Sequence, residues 1–236
     1  MDFDNKTVYI LDSYGLIYRC YYAFISRPMI NSKGQNVSAT FGFFKSLAQI
    51  FKHYKPNYLI AALDSKTPTF RHKMYTEYKA TRDKTPEDLF AQIDVIEEFL
   101  KVLNVPTIRL DGYEADDLIA TFVKKCNDQG HPCRILSADK DLMQLVDENT
   151  QILKPSKDNT GAGWEVIAEN GVKAEWGVEP KRLLDLLSLM GDSADNVPGC
   201  PGIGIKTGLK LLQEYNDLDG IFSHADEIKG ALGQKL

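Results

Sequence analysis

Aspartates follow three short apolar runs in this chain of 236 residues. Asp12 and Asp64 each come directly after such a run, and Asp139 comes three residues after a third. Short apolar runs of this kind are typical of buried strands, and helical patterns separate them, as in a parallel α/β sheet. Because open α/β sheets bind ligands beyond the carboxyl ends of their strands, we expect the three acids to meet in one crevice.

Six further acids stand in tight clusters along the chain. In GYEADDL, Glu114 and Asp117 are three residues apart at a predicted helix start, so they share a face near the positive end of the helix dipole, while Asp116 points elsewhere. The segments SADKDL and GDSADN add the other clusters. The nine candidate metal ligands are Asp12, Asp64, Glu114, Asp116, Asp117, Asp139, Asp141, Asp192 and Asp195.

Nine acids at the end of one sheet repel one another unless cations neutralise them, and divalent ions with oxygen-only coordination are the natural partners. We therefore predict Mg²⁺, with Mn²⁺ as a substitute. Two such ions about 4 Å apart activate a water and stabilise the leaving oxygen of a phosphodiester without a His or Ser nucleophile. The alternative is that each acid is only a turn former or a helix N-cap.

The basic residues are concentrated between residues 66 and 84. The chain carries a formal charge of -5, but without the nine candidate ligands 24 acidic residues face 28 basic ones, and the remainder is +4. Phe70, Tyr75 and Tyr78 are interleaved with the positive residues of this segment. Those residues are Lys66, Arg71, Lys73, Lys79, Arg82 and Lys84. Such a connection can hold a nucleic-acid strand through its phosphates and unstacked bases; a solvated charged loop is the alternative.

The segment PGCPGIGIKTGLKLL places three glycines, Gly199, Gly202 and Gly204, just before a predicted helix, with Lys206 behind them. Backbone N–H groups at a helix start can approach a phosphate where no Cβ interferes. The segment resembles a helix-hairpin-helix element. A plain glycine turn is the alternative.

The surrounding pattern indicates an α/β fold with a mostly helical C-terminal part. Predicted strands cover 8–11, 58–63, 134–136 and 150–153. Predicted helices cover 41–54, 89–103, 115–126, 180–190 and 206–215. The four cysteines show no disulfide or zinc spacing, the N-terminus is acidic where a signal peptide is basic, and no apolar run reaches the length of a membrane span. We therefore expect a protein of the reducing cytoplasm.

Five motifs together resemble one family: LDSYGLIYRCYYA, TFRHKMYTEYKATR, GYEADDLIATFVKK, SADKDLMQLV and GDSADNVPGCPGIGIKT. In this order and spacing they resemble the 5′-nuclease domains of bacterial DNA polymerase I, members of the flap endonuclease superfamily with a PIN-like fold. The resemblance implies a parallel-sheet nuclease core over residues 1–155, with a helical arch at 65–88. It also implies a helical DNA-binding region over 156–236, with the helix-hairpin-helix-like motif at 180–215.

The resemblance also implies roles for individual residues. One metal group comprises Asp12, Asp64 and the acids of GYEADDL, and the remaining four candidate ligands complete the site. Lys79 and Arg82 act in catalysis beside the scissile phosphate, and the helix-hairpin-helix holds duplex through backbone amides, often with a bound K⁺. The implied DNA contacts, together with the basic segment, are Arg19, Arg71, Tyr78, Lys79, Arg82, Gly199, Gly202, Gly204 and Lys206.

Departures from the family pattern are confined to loops: Ser65 and Lys66 after the second strand, SADKD in place of TGDKD, and Cys200. Such domains usually continue beyond a segment like ALGQKL, so we expect Leu236 to mark a truncation or a domain boundary, with a covalently linked polymerase domain as one partner.

We predict a metal-dependent, structure-specific 5′ nuclease of DNA replication and repair. It acts as a 5′-3′ exonuclease and flap endonuclease on branched or nicked DNA with a 5′ flap and on RNA primers annealed to DNA, with water as nucleophile. We expect a monomer associated with the bacterial nucleoid and no membrane partner. Two alternatives remain: a PIN-type single-strand ribonuclease, and a non-catalytic module that binds branched DNA.

Overall fold

A computed structural model of the chain describes residues 6–156, 163–228 and 233. A six-stranded sheet forms its centre, from β1 (Val8–Asp12), β2 (Tyr58–Ala62), β3 (Thr107–Ile108), β4 (Cys133–Leu136), β5 (Thr150–Pro155) and β6 (Trp164–Ile167). The strand order is β3-β2-β1-β4-β5-β6, and only β6 runs antiparallel to its neighbour. The predicted mostly parallel α/β sheet is thereby confirmed.

Helices cover both faces of the sheet and form the C-terminal part. The first five are α1 (Ser13–Ala23), α2 (Ser38–Tyr54), α3 (Phe70–Met74), α4 (Glu87–Val102) and α5 (Ala115–Asp128). A 3-10 helix spans Asp141–Leu145, and α6 (Glu169–Trp176), α7 (Pro180–Met190), α8 (Ile205–Tyr215), α9 (Leu218–Ser223) and a 3-10 turn, Ala225–Glu227, follow. A two-residue pair of strands, β7 (Gly191–Asp192) and β8 (Val197–Pro198), joins α7 to α8.

The apolar strands are buried because alternate residues point to opposite faces of the sheet. In β1, Ile10 belongs to a buried cluster that includes residues of α5, α7 and α8, whereas Tyr9 and Leu11 belong to a second cluster with residues of α1, α2 and α4. The first of these clusters runs without interruption from the sheet into the C-terminal helices, where Leu186 of α7 is fully buried. The sheet and the C-terminal helices therefore share one core.

The sheet continues past residue 155, which was the predicted end of the core, because β6 pairs with β5 from Ile152↔Ile167 to Pro155↔Trp164. The division into core and helical region otherwise stays a prediction. Among the described residues, none of the helices combines the length and the apolar character that a membrane span needs.

Candidate active site

The carboxyl ends of β1, β2 and β4 bring three predicted acids to one edge of the sheet. Asp12 ends β1, its side chain accepts a hydrogen bond from the Gly15 N–H at 3.0 Å, and it is buried. The Ser137 hydroxyl donates to Asp12 Oδ2 at 2.6 Å and accepts from the Asp139 N–H at 2.9 Å. Ser137 thus ties the ends of β1 and β4 together. Asp64 follows β2 and accepts from the Ala115 N–H at 2.8 Å.

The start of α5 carries the next three acids, as predicted. Glu114 is the N-cap of α5, and Asp117 closes a capping box by accepting from the Glu114 N–H at 2.9 Å. Such reciprocal capping satisfies N–H groups that the first helical turn leaves without partners. It also holds both carboxylates at the positive end of the helix.

Asp116 faces the strand-end acids. Burial, followed by the charges of Asp12, Asp139 and Asp64, raises its pKa to about 8. Burial also raises the pKa of Asp12 to about 6, with Asp139 and Asp64 contributing. Because a carboxylate is pushed to such values by lost hydration and like charges, this crevice strongly favours a cation.

The second acidic group comes from the 3-10 helix and from the turn between β7 and β8. Burial, followed by the charge of Asp139, raises the pKa of Asp141. Its Oδ1 atom is buried without a hydrogen-bond partner, and Lys140 Nζ lies 3.6 Å away. Burial alone would raise the pKa of Asp192, but the hydrogen bond and charge of Lys140 and the backbone N–H groups of Ala194 and Asp195 together outweigh it and lower the pKa.

The strap, which we define as residues 75–82, lies across both acidic groups. The Tyr78 hydroxyl is 3.0 Å from Glu114 Oε2 and 2.8 Å from Asp195 Oδ2. Burial raises the pKa of Tyr78 far above its usual range, so the hydroxyl remains a donor. Lys79 Nζ donates to Glu114 Oε1 at 2.7 Å, and the Arg82 guanidinium pairs with Asp195.

Backbone contacts fix the strap to the acidic turn, residues 192–196. The Lys79 N–H donates to the Asp195 carbonyl at 2.9 Å, and Asn196 Nδ2 donates to the Glu77 carbonyl at 2.7 Å. Lys79 has a φ of +57°, which no right-handed helix accommodates. The region predicted as a helical arch, residues 65–88, therefore contains the five-residue α3, turns and the first two residues of α4, and the helical face expected for Lys79 and Arg82 is absent.

Arg71, on α3, also engages the acids. Its guanidinium donates two hydrogen bonds of 2.8 Å to Asp117 and lies 3.5 Å from Glu114 Oε2. Burial alone would raise the pKa of Asp117, but the Arg71 fork and the Glu114 N–H outweigh it, and the pKa is lowered. Like Lys79, Arg71 was predicted as a DNA contact and is here the partner of a predicted metal ligand.

The acids fit divalent ions by chemistry and charge. Their donors are all oxygens, Asp141 Oδ1 lacks a hydrogen bond, and the charges of Asp139 and Asp64 raise the pKa of Asp12 and of Asp116. Within residues 6–156 and 163–228, however, no three His, Cys, Asp or Glu side chains form a ready-made metal-binding group. Protein cations hold several of the oxygens instead. The predicted ligand set therefore stays a prediction.

Three residues that the sequence did not single out position the site. Arg109 donates from Nε to the Asp64 carbonyl at 2.7 Å, and Glu97 and Tyr14 hold its guanidinium. An arginine just after a two-residue strand gives no sequence signal for this role. Ser137 and Asn196 were also missed as site residues, although both stand inside quoted motifs.

The predicted duplex-binding glycines differ in their surroundings. A Cβ on Gly199 would lie 2.2 Å from the Met190 carbonyl carbon, so close approach excludes a side chain there. Gly202 has a φ of +89°, a conformation that favours glycine. Gly204 is the N-cap of α8 and has open space around it, with the exposed Lys206 two residues further on. Arg19 lies exposed on α1.

A cavity of about 770 Å³ opens beside the acids. Glu114, Asp116, Asp141, Asp192 and Asp195 contribute to its acidic side, and the strap contributes Tyr78. Apolar side chains of α3, α7 and the 3-10 helix also line it. The volume is within the range of about 300–1,000 Å³ that is usual for ligand sites.

Two family models cover the chain from residue 7 to its last residue. The model described as 5′-3′ exonuclease, N-terminal resolvase-like domain, matches residues 7–177, and that described as 5′-3′ exonuclease, C-terminal SAM fold, matches residues 178–236.

Two curated relatives and one solved structure are similar to the chain. DNA polymerase I of Treponema pallidum is 50% identical over 233 residues, which are 99% of this chain and 23% of that protein. The 5′-3′ exonuclease of Aquifex aeolicus is 39% identical over 95% of this chain and 75% of its own length. The chain thus spans about a quarter of the DNA polymerase I relatives that it matches. A bacteriophage T5 flap endonuclease, in a pseudo-enzyme-product complex with DNA and metal ions, matches with a TM-score of 0.73, 20% identity and coverage of 97% of this chain and 83% of that one.

We expect the metal-free protein to lose stability as pH rises towards 8. The folded state keeps a proton on Asp116, whose pKa is about 8, that the unfolded chain releases near its ordinary pKa of 3.8. Folding is therefore disfavoured increasingly between these values. Between pH 6 and pH 8, urea unfolding in EDTA should show a loss of about 1–2 kcal/mol, most of which disappears in Asp116→Asn.

Asp128→Asn, at the exposed end of the same helix, is the control and should keep the wild-type slope. Mn²⁺ at pH 8 should stabilise both proteins, because only the folded state brings the acids together. The stabilisation should be larger in the wild type, because Asp116→Asn lacks one of these acids. Equal pH slopes in the wild type and Asp116→Asn would contradict the proposed crowding.

Proposed function

Since the chain belongs to the 5′-3′ exonuclease family, we propose that its acidic site hydrolyses phosphodiester bonds in DNA that carries a 5′ flap, a nick or a 5′ end. The observation that carries the proposal is that acids of both groups line one cavity together with Arg71. Asp116 of this lining is close to the strand-end acids, and Glu114 is bonded to Lys79. Carboxylates alone repel a phosphate, whereas the combination with cations supports binding and hydrolysis.

We propose Mg²⁺ as the resident ion, because oxygen-only donors suit a hard cation. Asp12, Asp116 and Asp139 are the proposed core of its ligands, with Asp141, Asp192 and Asp195 on the second side. When bound, divalent ions would supply a nucleophilic water at neutral pH and neutralise charge on the phosphate. Ser137 and Arg109 keep the strand-end acids in place, through Asp12 and the Asp64 backbone.

The strap supplies the cations for the substrate. Lys79 and Arg82 are held by carboxylates. We propose that both exchange these partners for phosphate oxygens of the displaced strand, while Tyr78 remains a hydrogen-bond donor. Arg71 is placed to exchange Asp117 for a phosphate in the same way. A guanidinium binds a phosphate with the same two-pronged geometry as a carboxylate, so the exchange preserves its hydrogen bonds.

The same site would accept RNA primers annealed to DNA, since phosphate contacts do not read the base sequence. We propose that the protein acts in replication and repair as a monomer, with a linked polymerase domain where the natural product resembles its DNA polymerase I relatives. A bacterial nucleoid location follows from such substrates, and the four free cysteines suit a reducing compartment. We also propose that a K⁺ ion binds at the glycine turn, which we define as residues 199–204.

The first test compares a 5′ flap, single-stranded RNA and a blunt duplex, each with Mg²⁺ and with EDTA. We expect rapid cleavage of the flap only with Mg²⁺. Asp139→Asn should nearly abolish turnover and leave flap binding in Ca²⁺ intact, because it removes a metal ligand and not a phosphate contact. Asp128→Asn is the control. Preference for single-stranded RNA would favour the ribonuclease alternative, and binding without cleavage would favour the non-catalytic one.

The second test concerns the strap. Lys79→Ala should slow single-turnover flap cleavage about a hundredfold, since loss of a cation that stabilises developing charge costs on the order of 3 kcal/mol. Binding of an unflapped nicked duplex should change little. Lys73→Ala is the control, because Lys73 is exposed on the neighbouring α3. A twofold change in rate corresponds to only about 0.4 kcal/mol in activation free energy. If the Lys79→Ala rate stays within that limit, Lys79 has no role in catalysis.

The third test separates phosphate contact from folding at the glycine turn. Gly204→Ala has open space and an extended backbone, so it should leave the free energy of unfolding unchanged and weaken nicked-duplex binding about fivefold by blocking a helix start. Gly202→Ala should lower stability by about 1 kcal/mol as well, because of its positive φ.

Lys206→Ala extends the third test with a change of charge. It should reduce the logarithmic salt slope of duplex binding by about 1, whereas Gly204→Ala should not change that slope. Unchanged duplex binding in both Gly204→Ala and Lys206→Ala would place the duplex elsewhere on the protein.

A further inference from the structure

We propose that the apolar side of the cavity binds the unpaired base of the nucleotide immediately 5′ to the scissile bond. This base subsite rests on the proposed nuclease function and specifies how the flap is held. We define its apolar wall by Phe70, Met74, Tyr75, Leu184, Leu187 and Val197.

The wall exposes more apolar surface than its elements need for folding. Met74, the last residue of α3, is 81% exposed, and Leu184 of α7 is 53% exposed. The buried face of α7 is already formed by other leucines, among them Leu183 and Leu186. Clustered exposed apolar side chains around a cavity mark a binding surface more often than isolated ones do. The second apolar face of α7 therefore points to a ligand.

Phe70, the first residue of the wall, is held by its neighbours. The Phe70 ring lies 5.7 Å from the Tyr113 ring, and the Arg71 guanidinium sits over its face at 4.6 Å. Phe70 is therefore held between two neighbours. Before substrate binds, Arg71 in turn is held by its two hydrogen bonds to Asp117. A preorganised surface of this kind loses little conformational entropy when a flat ring binds.

The occupant follows from the continuity of this wall with the acids. The same cavity is lined by Asp141 and Asp192 and by Met74 and Leu184. A ligand that fills it must place a phosphate and its metal ions near the carboxylates and an apolar, flat group against the wall. A nucleotide has both parts. Aromatic and apolar side chains bind bases of any identity, because every base offers a π-face.

The base that binds the wall must be unpaired. This requirement determines on which side of the scissile bond its nucleotide lies. A paired base is stacked within the duplex and cannot present its face to Met74 or Leu184. At a flap junction, unpaired bases lie on the 5′ side of the scissile bond. We therefore assign the wall to the first flap nucleotide and the exposed α8 start, near Gly204 and Lys206, to the duplex.

The test combines an abasic substrate with a double variant. The substrates are two 5′ flaps that differ only in whether the nucleotide 5′ to the scissile bond carries a base or is abasic. The proteins are the wild type, Met74→Ala/Leu184→Ala and the control Val102→Ala, which removes a side chain that is 74% exposed on α4. Urea unfolding checks that all three proteins are equally stable.

We expect the wild type and Val102→Ala to cleave the base-bearing flap about tenfold faster than the abasic flap in single turnover, within the range that base stacking gives. In Met74→Ala/Leu184→Ala the two rates should agree within about twofold. A 2-aminopurine at the same position should be quenched or shifted in fluorescence when the wild type binds it in Ca²⁺, and less so with the double variant.

Two results would overturn the subsite. One is a wild type that does not distinguish the two flaps; the other is a double variant that keeps the wild-type ratio and fluorescence change, as expected if a protein segment covers the wall. A wild type that cleaves neither flap with Mg²⁺ would instead overturn the proposed nuclease function. The two failures are therefore distinguishable.

Discussion

Repulsion between buried carboxylates is the constraint on which the architecture of this site depends. Parallel strands in register deliver Asp12 to the same sheet edge as the acids after β2 and β4, and α5 adds Asp116 there. No rearrangement of single side chains relieves this crowding, since the backbone of the sheet imposes it. Local hydrogen bonds therefore compensate part of the negative charge. They come from the Ser137 hydroxyl and from the N–H groups at the start of α5. The remaining charge calls for cations from outside or from the protein itself.

The strap provides such cations within the protein. Its turns are stabilised by contacts with the acidic turn more than a hundred residues away in sequence, including the Asn196–Glu77 bond. Ion pairs in a partly buried site gain little net energy, because the charges lose hydration. A phosphate can replace a carboxylate at Lys79 or Arg82 for the same reason, with a small difference in free energy. The arrangement thus suits a segment that must release the acids when substrate arrives.

The sequence predicted the features that local pattern controls. Apolar runs followed by Asp12 and Asp64 located two central strands and the acids at their carboxyl ends, and the spacing of Glu114 and Asp117 predicted a shared face at a helix start. It did not predict the conformation of the strap, because the φ of Lys79 is set by a backbone bond to Asp195 that no local pattern encodes. Arg109 was missed for a similar reason: its role depends on Glu97 and the Asp64 carbonyl, which only the folded chain brings near.

The β7–β8 pair connects the acidic turn, which lies between its strands, to the glycine turn, which follows β8. Gly191 and Gly199 pack back to back, so closely that a Cβ on Gly191 would lie 2.2 Å from the Gly199 nitrogen. The acidic turn and the start of α8 are consequently parts of one rigid unit. A duplex phosphate held near Gly204 would then lie at a fixed distance from Asp192. If the proposed nuclease function holds, backbone geometry in such a unit would determine the position of the cut relative to the duplex, without any base-specific contact.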